Sequence, residues 1–99
     1  MIRVYIHKNN EKILISGHAQ YDVYGKDIVC AAVSSTVLTT INAILSINKK
    51  SINVIEGDEL IIEIKQHNDI TDKLIKNMIN LLKEIEKEYF KYIKINEEV

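Results

Sequence analysis

Apolar and polar positions alternate at the start of the chain: Ile2, Val4 and Ile6 against Arg3, Tyr5 and His7. A period of two places each set on one face of a half-buried strand. Lys8-Asn9-Asn10-Glu11 follows, and asparagine tolerates the positive φ of a tight hairpin turn. "KILIS", Lys12 to Ser16, is therefore expected to return as a second, antiparallel strand. His18 to Lys26 shows no period and is expected to be a loop of about nine residues, longer than most connections in a compact domain.

From Asp27 the period changes. Val29, Val33, Val37, Ile41 and Ile44 recur at helical spacing, and no charged residue stands between Ile28 and Asn48. A helix apolar nearly all round is buried on more than one side, which points to a partner subunit on its second face. Ile52 and Val54 lead into the turn Glu56-Gly57-Asp58-Glu59, out of which Leu60, Ile62 and Ile64 alternate. Ile70, Leu74, Met78, Leu81, Leu82, Ile85 and Tyr89 mark an amphipathic second helix, N-capped by Asn68 or Asp69, with a solvated face of lysines and glutamates. "KYIKI" is expected as a last short strand. The order β-β-α-β-β-α-β implies an α+β fold, a two-layer arrangement with two helices packed on a mostly antiparallel or mixed sheet. No internal boundary breaks residues 1–99, which read as a single domain.

Composition narrows the function classes. A formal net charge of −1 gives no electrostatic case for nucleic acid or an anionic membrane. The absence of proline and the presence of only three glycines argue against a linker or low-complexity chain. No unbroken apolar run reaches the length of a membrane span, and "MIRVYIHKNN" lacks a signal-type apolar core. A single cysteine has no intramolecular disulfide partner, as expected of a cytoplasmic protein. The three histidines and Cys30 lack the spacing of zinc-ligand pairs, so neither metal nor cofactor is implied.

Reactive side chains gather in "SGHAQYDVYGKDIVCAAVSS", Ser16 to Ser35. If Asp27 caps the first helix, Cys30 falls in its first turn, where unpaired N–H groups and the helix dipole favour negative charge and hence a thiolate. His18 opens the loop that leads there, and a Cys–His pair is the minimal activated nucleophile. The N–H groups of Val29, Cys30 and Ala31 are candidates for an oxyanion hole. Ser34 lies four residues beyond Cys30 on the same helix face. Gly17 and Gly25 flank the loop as hinges or points of close substrate approach. Asp22 reads first as an exposed loop aspartate and second as a residue to orient His18, and Tyr21 and Tyr24 are loop anchors or substrate contacts. The plain reading stands beside this: a cysteine next to Ala31 and Ala32 is often a small buried hydrophobe. His7 and His67 read as solvated.

In these residues the sequence resembles the bacterial ribosomal-processing cysteine proteases. The family pattern is Gly-His-Ala, a glycine-bearing loop, then Asp, two residues, Cys-Ala, and a Ser four after the Cys. Here it stands as Gly17-His18-Ala19, Gly25, Asp27, Cys30-Ala31 and Ser34, with Gln20 where the family often has glycine. The resemblance extends to length and element order. It implies a homodimeric peptidase that removes the N-terminal extension of a large-subunit ribosomal protein, number twenty-seven. Cys30 would be the nucleophile and His18 the general base and acid. Asp27 and Ser34 would support the site, and loop 18–26 would admit the substrate. Two other classes stay open on the residues alone: a non-catalytic ribosome-associated binding module, and a small cysteine-dependent thioesterase or hydrolase.

Overall fold

The computed structural model describes residues 1–17 and 24–98, with backbone only for 24–27. The elements are β1 (Ile2–Ile6), β2 (Lys12–Ser16), α1 (Tyr24–Ile47), β3 (Ile52–Glu56), β4 (Leu60–Ile64), α2 (Asp69–Glu88) and β5 (Ile93–Glu97). The strands form one mixed sheet in the order β3-β4-β2-β1-β5. Every pairing is antiparallel except β1 with β5, which run parallel with Ile2 opposite Ile93. With two helices packed on it, this is the α+β fold that the element order predicts.

Alternation within the strands decides which sheet face is covered. Ile2, Val4, Ile6, Ile13, Ile62 and Ile93 are buried, while Arg3 and Tyr5 point outward and are exposed. Against the inner face α1 packs Val29, Val33, Val37, Ile41 and Ile44, and α2 packs Ile75, Met78, Ile79 and Leu82. The α2 stripe is rotated from the expected one: Ile70 and Leu81 are exposed, while Thr71 and Ile79 are buried. The turn between β1 and β2 uses positive φ at Asn9 and Asn10, 61° and 56°, as their residue type suggests. The last strand lies two residues later than "KYIKI".

Helix α1 departs from expectation in two ways. It begins at Tyr24, not after Asp27, so Tyr24, Gly25, Lys26 and Asp27 are helical in backbone and the connection from β2 is shorter than expected. Ile28–Ile47 is also long and apolar enough to cross a membrane by length and composition, although polar residues interrupt its apolar run. In the fold one face of this segment is core. Its opposite face, with Ala31, Ser35, Thr39 and Asn42, is exposed and uncharged.

The start of α2 follows from one side chain. Asn68 stands in extended conformation and its Oδ1 accepts the Thr71 N–H at 2.9 Å. Its Nδ2 donates to Ser51 Oγ at 3.3 Å, tying the cap to the segment before β3. Asn68→Ala is expected to lower unfolding stability by about 1 kcal/mol or slightly more, read from urea denaturation. A change indistinguishable from zero would show that the cap contributes nothing.

Candidate active site

Strand pairing brings one end of the sheet beneath α1. Arg3 lies opposite Ser16, Ile15 opposite Leu60, and Leu60 opposite Glu56. The β3–β4 turn therefore stands beside the end of β2, across from the helix. Between them lies a cavity of about 310 Å³. Cys30, Val33, Ser34, Val37 and Leu38 of α1 form one wall, and Ile2, Ile15, Ser16 and Gly17 form the floor. Glu56, Gly57, Asp58 and Leu60 of the β3–β4 hairpin form the opposite wall.

Cys30 is half-buried and free, and packs against the core while lining the cavity. Ser34 shares its wall. The hydroxyls of Thr36, Thr40 and Ser46 on the same helix donate to backbone carbonyls three or four residues back. Among the described residues Ser34 makes no such bond, so its hydroxyl is available to a molecule in the cavity. Gly17, which immediately precedes His18 in the chain, also lines the cavity.

Of the residues expected at a site, Gly17, Cys30 and Ser34 come together here. Ala31 is exposed and does not line the cavity. Gly25 and Asp27 belong to the first turn of α1 by backbone. His18, Tyr21 and Asp22 lie outside the described residues. Two expectations are corrected. Asp27 is a helical residue and not the N-cap, and Cys30 is the seventh residue of α1 and not in its first turn. Only the first four N–H groups of an α-helix lack intrahelical acceptors, and dipole effects fade within that turn. The N–H groups of Val29, Cys30 and Ala31 therefore do not form a ready oxyanion hole. Helix-end N–H groups likewise do not account for a thiolate at Cys30.

Gly17 is fixed by two independent constraints. Its φ is +84°, and a Cβ there would overlap the Met1 carbonyl oxygen and crowd Ile2 Cα at 3.3 Å. Any other residue meets a left-handed penalty of about 1–2 kcal/mol, with the clash added. Gly17→Ala is thus expected to lower stability by about 2 kcal/mol or more, measured by chemical denaturation. A loss below about 0.5 kcal/mol would show that the floor of the cavity tolerates a side chain.

Sequence reasoning did not find Ile2, Ile15 or the Glu56–Leu60 wall as site residues. Their only local signal is the acid-rich hairpin turn. Their place at the cavity comes from pairing between distant segments.

The sequence profile of the family described as cysteine protease Prp matches residues 1–94. The chain is 31% identical over 104 residues to the ribosomal processing cysteine protease Prp of Staphylococcus aureus strain Mu50, covering 97% of this chain and 98% of that protein. It also superposes on the crystal structure of the S. aureus ribosomal processing protease Prp with a substrate peptide, at TM-score 0.88 and 29% identity, over 99% of this chain and 100% of that one. The S. aureus complex with a covalently linked product peptide gives TM-score 0.86 at 30% identity, with the same coverage.

Proposed function

Because this chain belongs to the cysteine protease Prp family and is a cysteine peptidase, we propose that it removes the N-terminal extension of a large-subunit ribosomal protein, number twenty-seven, with Cys30 as nucleophile and His18 as base. The observation that carries the assignment is Cys30 itself. It is the chain's sole thiol, and it lines a cavity of about 310 Å³ together with Gly17, next to His18 in sequence, and Ser34. The S. aureus relatives are named for ribosomal processing and hold substrate and product peptides, which supports a ribosomal-protein peptide as substrate here.

The reaction is acyl transfer. His18 takes the proton from Cys30 Sγ, and the thiolate attacks the scissile carbonyl carbon. Collapse of the tetrahedral intermediate breaks the C–N bond, and the His18 imidazolium gives its proton to the leaving amine. Water, deprotonated by His18, then attacks the thioester. This releases the extension as a carboxylate and restores the thiol. The Ser34 hydroxyl, unbonded among the described residues, would donate a hydrogen bond to a peptide carbonyl in the cavity. The uncharged outer face of α1 supports a homodimer, and a lone thiol suits the reducing cytoplasm.

The test is incubation with the extended ribosomal-protein precursor, followed by mass spectrometry. The expected product is shortened by its N-terminal extension, with one new N-terminus. An intact precursor after prolonged incubation with fully reduced protein would sink the assignment. Turnover of simple thioesters without any requirement for peptide sequence would favour a small-acyl hydrolase.

A further inference from the structure

The cavity beside Cys30 is lined unevenly. Its helix wall and floor are apolar apart from small hydroxyls, while its third wall carries two carboxylates, Glu56 and Asp58. Both are exposed at the β3–β4 turn, and Glu56 pairs with Leu60 at the point where the hairpin closes. Among the described residues neither joins an ion pair, and no lysine or arginine lines the cavity. Glu63, on the same hairpin but away from the cavity, differs. It accepts from Asn53 Nδ2 at 3.0 Å and pairs with Lys65 at 3.8 Å, and these contacts hold its carboxyl below the ordinary range. Glu59, also exposed on the turn, does not line the cavity, so Glu56 and Asp58 are the carboxylates the hairpin presents to it.

Two like charges close together repel, and a cation brought between them relieves that repulsion. An extended peptide in this cleft presents successive side chains to opposite sides. The helix wall and floor suit an apolar residue, and the hairpin wall suits a cationic one. We propose that the β3–β4 turn is the specificity wall of the peptidase site, where Glu56 and Asp58 take a lysine or arginine of the substrate peptide while an apolar residue fills the floor. This assignment rests on the peptidase reading. It makes the two carboxylates substrate-binding residues that act on KM more than on kcat.

Two measurements test it, and the first does not require cleavage. Cys30 is the only thiol, so the rates at which a cationic and an anionic methanethiosulfonate modify it report the local potential. The cationic-to-anionic rate ratio is expected to fall about fivefold in Glu56→Gln/Asp58→Asn. Glu63→Gln, which changes the hairpin's charge away from the cavity, should leave the ratio unchanged. The second measurement compares cleavage of synthetic peptides spanning the precursor's extension junction, with one lysine scanned along an otherwise uncharged sequence. The wild type should prefer lysine over alanine at one position by about fivefold in kcat/KM, and the double variant should lose that preference. Equal loss on lysine and alanine peptides, or an unchanged modification ratio, overturns the proposal. A shifted ratio with no cleavage of any peptide overturns the peptidase reading and the substrate assignment with it, while retaining the acidic wall.

Discussion

Cys30→Ala is expected to lower kcat/KM for the precursor by about a thousandfold or more, because the chain has no other thiol to act as nucleophile. Ser34 does not substitute for it. A hydroxyl is a far weaker nucleophile than a thiolate, and among the described residues no base is bonded to this one. The fold should survive, since Cys30 is only half-buried and alanine suits a helix. The expected stability cost is about 1 kcal/mol, so circular dichroism and urea midpoints should stay close to wild type. That separation matters for the alternative of a non-catalytic binding module. Such a module would lose a little stability with the thiol and nothing else. Precursor cleavage by Cys30→Ala at more than about a tenth of the wild-type rate would remove Cys30 from the mechanism.

The second large effect is expected from His18→Ala. The structure raises the importance of this residue by removing another explanation for thiol reactivity. Had α1 begun after Asp27, helix-end N–H groups alone would have favoured a thiolate at Cys30. With α1 beginning at Tyr24, those groups lie a full turn before Cys30. On the proposed mechanism that role falls to His18, and Gly17 at the cavity floor is its chain neighbour. His18→Ala should reduce precursor cleavage by about a hundredfold or more and should slow iodoacetamide alkylation of Cys30 near neutral pH. Alkylation separates chemistry from substrate binding, because iodoacetamide needs no peptide subsite. If cleavage falls while alkylation keeps its wild-type rate, His18 acts on the leaving amine or on the peptide and does not activate the thiol.

Features written in neighbouring residues were legible in the sequence. Asn9 and Asn10 announce the first turn, Glu56 to Glu59 the second, and Asn68 caps α2 because a short polar side chain reaches the nearby Thr71 N–H. The period of two separates Ile2, Val4 and Ile6 from the outward Arg3 and Tyr5 without tertiary information. The start of α1 was misjudged because Asp27 is a good cap and Gly25 a poor helix former. Local preference favoured a later start than the helix takes. The hydrophobic wall of α1 was legible as core, but its neighbours at the cavity were not. Ile2, Leu60 and Cys30 are distant in sequence; the pairings β1–β2 and β2–β4 bring the first two together, and the packing of α1 on the sheet brings Cys30 to them. The candidate nucleophile was therefore visible in one short motif, while the wall opposite it was not.

The parallel pairing of β1 with β5 bears on the order in which these parts can exist. Ile2 lines the cavity, its N–H donates to the Tyr92 carbonyl at 2.8 Å, and its strand partner is Ile93. The first strand thus meets the last, and one of the longest-range contacts in the chain supports the cavity floor. Contacts of such sequence separation form late and slow folding, because the entropy of closing the intervening chain is lost before the contact returns anything. During synthesis the β1–β2 and β3–β4 hairpins and both helices can emerge and pack first. The floor beneath Cys30 gains its final support only when residues 93–97 have left the ribosome. A nascent chain therefore carries the thiol without a finished cleft around it until β5 has emerged and paired with β1.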